Sequence, residues 1–405
     1  MELFNFSPPT IFEIDRIQTE MMHNPPPPER RRQLRSWTHG SEINELIPTQ
    51  VLSGRKSLEP LLDLASNDYL GLNRHPSLIK AAEESMHRDG VGAGASRLIT
   101  GTRAVHGDLE QALADWLGRD KVMLFPSGFQ ANMAAVMSLA NRSTPVLADR
   151  FIHHSLLVGI KASGARLRRF NHLDLDALED LLKSSRMTSP NHPPLVITES
   201  LFSMEGTSPQ IEELADLCDQ YQARLIVDEA HALGVIGPQG RGLCHGLKKP
   251  VDIISGTFGK AFGSSGAFLA SDVFMADQLL QFSGAFRYTT ALAPPLAAAA
   301  MAALELIKAN PDWGVLLQQE ANQWRELLAS AGWPRPAGFG PILSLVVGTD
   351  QSALDYQRQL EAAGLLSVAI RPPTVPEGKA RLRLVLRRNL PIDTVARLIK
   401  ALGVR

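Results

Sequence analysis

The sequence predicts an α/β protein in which a doubly wound, mostly parallel sheet is followed by a smaller α+β region. Two observations indicate this fold class. Between about residues 61 and 290, short apolar runs alternate with helical patterns such as residues 211–221, and the runs are almost continuously hydrophobic, as strands covered on both faces are. After about residue 300, a long helical stretch leads into strands that alternate apolar and polar residues.

The elements follow from these patterns in chain order. In the larger region, apolar runs predict strands at residues 122–125, 145–148, 195–198, 225–227, 252–254 and 267–269. In the smaller region, we predict a helix at 296–309 and half-buried strands at 342–347 and 381–386. The stretch before residue 61 bears prolines and arginines, and we expect it to be irregular. The predicted units are therefore an N-terminal arm (1–60), a large α/β domain (61–295) and a small C-terminal α+β domain (296–405).

Composition and charge exclude several classes of protein. The 405 residues are 44% hydrophobic, so the chain can bury a large core. The formal net charge is −1 without a long basic run, and nucleic acid is not an expected partner. No apolar run reaches about 18 residues and the N-terminus lacks an apolar segment, so we expect neither a membrane helix nor a secretory signal. Cys218 and Cys244 suit a reducing compartment, and we predict a cytoplasmic location.

Candidate chemistry is expected at the carboxyl ends of the strands, where ligands bind in open α/β sheets. Past the strand at 252–254, Lys260 stands in a loop of small residues, TFGKAFGSSG (257–266). A lysine in a dry, crowded pocket has a lowered pKa and can act as a nucleophile that forms a Schiff base. The loop equally fits a solvated lysine among glycines, and the segment alone does not decide between the two interpretations.

A phosphate site is a second candidate. The strand at 122–125 is followed by Ser127, Gly128 and Phe129, which lead into a helical pattern. Free backbone N–H groups and the positive end of the helix dipole would bind a phosphate there. An ordinary N-cap explains the same residues. The Thr257 hydroxyl, at the start of the lysine loop, is a further anion ligand.

Asp228 emerges from the buried strand at 225–227, and His231 follows three residues later. A buried carboxylate needs a partner, and a protonated ring nitrogen would serve, with His231 reaching a substituent of the same ring. Alternatively, Asp228 caps the following turn.

His153 and Ser203 follow two further strands. His153 either stacks on a planar ligand or is structural, and Ser203 is a weakly indicated donor. Together, the residues at this sheet edge comprise a Schiff-base lysine, a carboxylate for a ring nitrogen, an anion site and a stacking histidine. That combination is what pyridoxal 5′-phosphate requires, and it predicts an enzyme that uses this cofactor.

The order and sequence of these motifs resemble the α-oxoamine synthases, fold-type I pyridoxal-phosphate enzymes that condense an amino acid with an acyl thioester and release carbon dioxide. The resemblance extends from about residue 63 to the C-terminus. It rests on SNDYLGL (66–72), GAGASR (92–97), SGFQAN (127–132), DEAH (228–231), TFGK (257–260) and IRPPTVP (370–376). The last motif resembles the biotin-biosynthetic branch, whose members condense L-alanine with a pimeloyl thioester.

The resemblance implies a role for each candidate residue. For the cofactor these are Lys260 on the aldehyde, Asp228 on the ring nitrogen, His231 on the ring hydroxyl, His153 on the ring face, and Gly128, Phe129 and Thr257 on the phosphate. Thr290 would reach the phosphate of the neighbouring subunit, which implies a homodimer with shared active sites. For the substrates the resemblance implies Arg371 on the amino-acid carboxylate, Asn67 and Ser203 near the reacting groups, and Arg35 near the acyl carboxylate.

Two departures from the family pattern concern the acyl substrate. Arg387, Arg388 and Asn389 stand where an Ala-His pair is usual, and the N-terminal arm is longer than usual. Coenzyme A and a carrier protein both remain open as the acyl carrier. Open alternatives are a synthase that uses glycine, serine or a longer acyl chain, and a non-catalytic paralogue, against which the intact Lys260 and Asp228 argue.

Overall fold

The computed structural model describes residues 26–53, 55–249 and 251–405. Residues 1–25, which belong to the predicted arm, lie outside the described residues, as do Gly54 and Pro250. Within the described ranges, no helix is both long and apolar enough to cross a membrane.

The described residues form three sheets with helices packed around them. The strands are β1 Trp37–His39, β2 Glu45–Pro48, β3 Leu61–Asp63, β4 Lys121–Phe125, β5 Pro145–Asp149, β6 Arg166–Phe170, β7 Leu195–Glu199, β8 Arg224–Asp228, β9 Ile253–Thr257, β10 Ala267–Ser271, β11 Ile342–Gly348, β12 Leu365–Leu366, β13 Val368–Ile370 and β14 Ala380–Val385. The helices are α1 Pro76–Asp89, α2 Ala104–Leu117, α3 Gly128–Leu139, α4 His154–Ser163, α5 Leu175–Thr188, α6 Ile211–Gln220, α7 Val273–Phe282, α8 Gly284–Arg287, α9 Pro294–Ala309, α10 Trp313–Ser330, α11 Asp350–Ala362 and α12 Thr394–Leu402.

The central sheet has seven strands in the order β4-β10-β9-β8-β7-β5-β6. Strands β5 to β9 pair in parallel, whereas β10 is antiparallel to both β4 and β9. The mostly parallel sheet and its six predicted strands are confirmed. Strand β6 was not predicted, because this edge strand carries exposed arginines at 166, 168 and 169 in place of an apolar run.

Alternate residues of the central strands enter two different cores, which explains their continuous apolarity. In β8, Leu225 and Val227 pack into a core with α1, α9 and α10, whereas Ile226 packs into a second core with α3 and α4. All three side chains are buried. Burying an aliphatic side chain of this size contributes about 1.5–3 kcal/mol, so both faces of the sheet stabilise the fold.

The C-terminal sheet has the order β11-β14-β13, and α11 packs against it. Its central strand β14 is buried along its whole length, so the prediction of a half-buried strand there is wrong. Arg381 and Arg383 occupy the polar positions that were expected to be exposed. They are buried because their guanidinium groups donate hydrogen bonds to Glu205 and to the Ser203 carbonyl, across the boundary with the central sheet.

The expectation of an irregular segment before residue 61 is wrong for part of it. β1 pairs with β2, β2 pairs with β3, and β3 pairs in parallel with β12 of the C-terminal region. Two arginines of this segment form ion pairs with the C-terminal region. Arg30 lies 2.6 Å from Asp350, and Arg35 lies 2.7 Å from Glu361. These ion pairs attach the segment to α11, the helix that packs against the small sheet.

The strand order places three strand ends side by side. Glu199 at the end of β7 is the register partner of Asp228 at the end of β8, and Asp228 is the partner of Ser255 on β9. This edge is where the functional side chains gather. The division of the chain into three units at residues 60 and 295 remains a prediction.

Candidate active site

A cleft of about 220 Å³ opens at the carboxyl edge of the central sheet. It forms where β7, β8 and β9 end beside the N-termini of α3 and α4, as an open α/β sheet leads one to expect. The residues that line it are Gly128, Phe129, Asn132, His153, Glu199, Asp228, Ala230, His231, Ser255, Gly256, Thr257, Gly259 and Lys260. Seven of the predicted site residues are therefore brought together.

The loop that carries Lys260 is fixed by close backbone packing. At Gly263, φ is +61°, and a Cβ there would come within 2.5 Å of the backbone of Leu72 and Asn73. At Gly256, just before the loop, a Cβ would lie 2.3 Å from the ring of Phe268. Only glycine fits at these two positions, and the loop is thereby held against both the sheet and the SNDYLGL segment.

Lys260 lies half-buried in the cleft. Desolvation lowers the pKa of its amine to about 8, against the opposing effect of the carboxyl groups of Asp228 and Glu199. An amine with this pKa has an appreciable neutral fraction near pH 7, and the neutral form is both the nucleophile and the base. The geometry supports an activated lysine over a solvated one.

Asp228 combines the two roles that its sequence position suggests. Its Oδ1 accepts a hydrogen bond from the backbone N–H of Ala230 at 2.9 Å, so the side chain does cap the following turn. Its Oδ2 accepts one from Asn132 Nδ2 at 2.7 Å. The carboxyl group also lines the cleft, where it can face a cationic N–H group of a ligand.

His231 forms a buried pair with Tyr69, whose hydroxyl lies 2.6 Å from His231 Nδ1. Burial lowers the pKa of His231 well below 6.5, and the charge of Lys260 adds to the effect. Burial raises the pKa of Tyr69 to about 12. Both groups are consequently neutral at pH 7, and His231 presents a neutral imidazole to the cleft.

His153 is at once the N-cap of α4 and a wall of the cleft. Its Nδ1 accepts the backbone N–H of Ser155 at 3.3 Å and lies 2.7 Å from the Ser155 hydroxyl. That hydroxyl accepts from Asn132 Nδ2 at 2.9 Å, which links His153 to Asp228. Burial lowers the pKa of His153. The ring is therefore fixed structurally and still available to a planar ligand.

The N-terminus of α3 forms the anion-binding end of the cleft. Ser127 is its N-cap, and the side chain accepts a first-turn N–H at 3.3 Å, as the simpler interpretation predicts. The N–H groups of Gly128 and Phe129 precede the first helical hydrogen bond and have no partner within the helix. A Cβ at Gly128 would lie 3.7 Å from Thr257 Oγ1. Two N–H groups, a hydroxyl and the helix dipole thus converge there.

Asn67 and Ser203 do not line the cleft, and Arg383 of β14 bonds to both. Arg383 donates to Asn67 Oδ1 at 2.9 Å and to the Ser203 carbonyl at 2.6 Å. The Tyr69 hydroxyl lies 3.5 Å from the same Asn67 oxygen. Contacts therefore lead from the C-terminal sheet through Asn67 and Tyr69 to His231.

Three further predicted site residues lie away from the cleft lining. Arg371 donates to a backbone carbonyl of the N-terminal segment, and Arg35 is paired with Glu361. Thr290 is exposed and forms a β-bridge with Ser96. The roles of these residues stay predictions.

Arg387, the first residue of the family departure, is structural. It is 2% exposed and lies 2.9 Å from both Asp63 and Asp68. It therefore ties the C-terminal sheet to the start of the SNDYLGL segment, and it does not line the cleft.

Glu199 and Asn132 line the cleft although no role was predicted for either from the sequence. Glu199 directly follows the predicted strand at 195–198, so the rule that selects Asp228 would have selected it too. Asn132 lies four residues after Gly128 and hence on the same face of α3. That four-residue spacing from Gly128 is the feature of the sequence that could have identified Asn132.

The donors and acceptors of the cleft fit pyridoxal 5′-phosphate. An amine with a pKa of about 8, a fixed carboxylate and an anion site are the groups that this cofactor requires. Asn132 Oδ1 and Glu199 Oε1 are buried without a hydrogen-bond partner among the described residues. Buried polar atoms are normally satisfied, so these orphaned atoms in the lining leave polar capacity for a ligand.

Comparison with known proteins agrees with this geometry. The family model for aminotransferases of class I and II matches residues 59–402. The 8-amino-7-oxononanoate synthase of Methylococcus capsulatus is 41% identical over 347 residues, which cover 85% of this chain and 89% of that protein.

Two solved structures resemble the whole fold. The serine palmitoyltransferase of Sphingomonas wittichii has a TM-score of 0.85 at 23% identity, covers 96% of this chain and is itself covered to 95%. The 8-amino-7-oxononanoate synthase of Francisella tularensis has a TM-score of 0.74 at 28% identity, with 84% of this chain and 96% of that one covered. The predicted fold class is confirmed.

Proposed function

This chain belongs to the aminotransferase class I and II family, and we propose that within it the protein is an α-oxoamine synthase that makes 8-amino-7-oxononanoate. The reaction condenses L-alanine with a pimeloyl thioester and releases carbon dioxide, as a step of biotin biosynthesis. The observation that carries the proposal is the lining of one cleft by Lys260, Asp228, His153 and His231. The 41% identity to an enzyme of that name supports the choice of substrates.

The cofactor is pyridoxal 5′-phosphate, whose ring, when bound, stabilises negative charge on the carbon next to the substrate's nitrogen. The residues that would hold it are Lys260 at the aldehyde, Asp228 at the ring nitrogen, His231 at the ring hydroxyl, His153 at the ring face, and Gly128, Phe129 and Thr257 at the phosphate. Asp228 suits its part because hydrogen bonds from Asn132 and Ala230 fix the carboxylate before any ligand binds.

Lys260 is the proposed base. Its lowered pKa leaves neutral amine available near pH 7, and this amine would accept the Cα proton of alanine. The Cα carbon then attacks the thioester carbonyl, the thiol leaves, and the carboxyl group of the condensed product departs as carbon dioxide. Lys260 would return its proton to Cα.

The substrate carboxylates would bind to arginines. We propose Arg371 for alanine and Arg35 for the pimeloyl chain. Each would exchange its present partner, a backbone carbonyl for Arg371 and Glu361 for Arg35, for the incoming carboxylate. Asn67 and Ser203, joined by Arg383, would support the same side of the cleft.

We also propose a homodimer with shared active sites. Thr290 is exposed, and the nearby apolar side chains of Tyr288 and Ile99 are 79% and 74% exposed in the single chain. Exposed apolar groups of this kind mark contact surfaces, and Thr290 would contact the phosphate in the neighbouring subunit's cleft. The buried, free Cys218 and Cys244 support a reducing, cytoplasmic setting.

The test is a screen of L-alanine, glycine and L-serine against pimeloyl and palmitoyl thioesters, with carbon dioxide release as the readout. Each acyl group is offered on coenzyme A and on a carrier protein. We expect release with alanine and a pimeloyl thioester to exceed every other combination. Preference for serine with palmitoyl thioester would instead place the protein in another branch of the family, and no release with any pair would contradict the proposed reaction.

A further inference from the structure

Two carboxyl groups lie next to each other in the lining of the cleft. Glu199 and Asp228 are register partners on the adjacent parallel strands β7 and β8, and both line the cleft. Neighbouring strands are about 4.8 Å apart. The two side chains are 2% and 6% exposed, so water screens neither of them well. Like charges this close in a desolvated site oppose each other's ionisation.

The hydrogen bonds decide which of the two groups carries the charge. Asp228 accepts N–H groups at both of its oxygens, from Asn132 and Ala230. Glu199 Oε1 is buried without a hydrogen-bond partner among the described residues. Backbone N–H groups of His153 and Ser203 favour the ionised form of the Glu199 carboxyl group, but burial outweighs them. Hydrogen bonds donated to a carboxylate stabilise its ionised form, so the geometry favours the charge on Asp228.

The titratable groups around Glu199 do not reverse this choice. Asp228 on β8 opposes its ionisation, whereas Lys260 in the lysine loop favours it. His153 at the start of α4 is partly exposed, but desolvation lowers its pKa, and burial raises the pKa of Tyr69 in the SNDYLGL segment, so both groups are neutral at pH 7.

The remaining cation near the site lies on the C-terminal sheet. Arg383 directs its guanidinium group to Asn67 and to the Ser203 carbonyl rather than to Glu199. Burial is the largest effect on Glu199 and raises the pKa of its carboxyl group well above the usual value.

We propose that Glu199 is a positioning residue that stays a neutral carboxylic acid, so that of the two neighbouring carboxyl groups Asp228 alone is charged beside Lys260. A second negative charge would favour the ammonium form of Lys260 and so reduce the amount of free base. The inference rests on the proposed role of Lys260, but it concerns the charge of the cleft and does not depend on which thioester is the substrate.

The test reads the titration of Lys260 directly in the full-length protein prepared without cofactor. The rate at which Lys260 reacts with an amine-specific reagent is measured against pH by mass spectrometry of the peptide that contains it. The wild-type midpoint is expected near pH 8. Asp228→Asn removes the charged carboxylate and should lower the midpoint by about one pH unit or more. Glu199→Gln replaces one neutral group by another and should move it by less than about 0.3 units.

Each outcome decides the proposal. If Glu199→Gln lowers the midpoint as far as Asp228→Asn does, Glu199 is ionised and the proposal is wrong. If Asp228→Asn has no effect, the charge is not on Asp228, and the proposal is wrong as well. Glu199→Met, neutral and of similar size, repeats the comparison should the glutamine variant fail to fold. Because no turnover is measured, an inactive substrate screen and a failed charge assignment remain distinguishable.

Discussion

The cleft and the cluster of Arg387, Asp63 and Asp68 (the Arg387 cluster) both bury charged side chains, yet they satisfy them differently. In the Arg387 cluster the guanidinium group donates to both carboxylates at 2.9 Å and to the Asp68 carbonyl at 3.0 Å. In the cleft, buried polar atoms of Glu199 and Asn132 have no partner among the described residues.

The difference separates structural from chemical uses of buried charge. A buried charge with a complete set of partners holds two parts of the chain together, and removing one partner leaves the other uncompensated. A buried group with an incomplete set keeps free hydrogen-bonding capacity, which a reactive site can offer to a ligand. Burial alone would not have distinguished Arg387 from Glu199, since each is 2% exposed.

Breaking the Arg387 cluster should have the largest effect on stability. Arg387→Met leaves two buried carboxyl groups without their cation, and we expect the free energy of unfolding to fall by about 3–5 kcal/mol. Denaturant unfolding followed by circular dichroism measures it. The matched control is Arg358→Met, because Arg358 pairs with Asp355 on the surface. Its expected change is below about 1 kcal/mol, and an equal loss in both variants would contradict the comparison.

Removing the Lys260 amine should instead increase the stability of the protein. In the protein without cofactor, Lys260→Met should raise the free energy of unfolding at pH 7 by about 1–2 kcal/mol. The folded-state pKa of about 8 lies below the unfolded value of 10.5, so between these values the unfolded chain binds the proton that the folded chain lacks. The penalty on folding is therefore complete below pH 8 and vanishes as the pH rises to 10.5.

Urea unfolding at pH 7, 9 and 10.5 measures the difference in free energy of unfolding between wild type and Lys260→Met. We expect this difference to shrink as the pH rises. The control, Lys308→Met, changes an exposed lysine paired with Glu305 and should show no such trend. A Lys260→Met variant less stable than wild type at pH 7 would show that the lysine is a structural group.

Tyr69 should give the smallest effect, because a hydrogen bond between two neutral groups contributes less than a buried charge. Tyr69→Phe removes the hydroxyl at 2.6 Å from His231 Nδ1, and we expect a loss of about 1 kcal/mol in stability and about tenfold in kcat. The control is Tyr221→Phe, whose hydroxyl bonds to Glu179. If both variants retain wild-type kcat, Tyr69 does not position His231.

The central sheet was predictable because its physical signal is local. Strands buried on both faces must be apolar at nearly every residue, and six of the seven have this pattern. The rule that ligands bind at strand carboxyl ends then led to Lys260, Asp228, His153 and His231, all of which line the cleft.

The remaining features depend on partners distant in sequence. Arg383 lies in a strand that was predicted to be half-buried, and Arg387 follows that strand. The partners that explain the burial of both arginines lie more than 170 positions away in the sequence. β6 was not predicted because it is an edge strand, and an edge strand tolerates exposed arginines. A single sequence does not show which arginine finds a buried partner, since that depends on how the two sheets pack.

The most direct test of the account asks which lysine holds the cofactor. The protein is loaded with pyridoxal 5′-phosphate, reduced with borohydride and digested, and the labelled peptide is identified by mass spectrometry. We expect the label on Lys260, and none in the Lys260→Ala variant, which should also release no carbon dioxide. A label on another lysine, such as the exposed Lys308, with Lys260 unmodified would contradict the account.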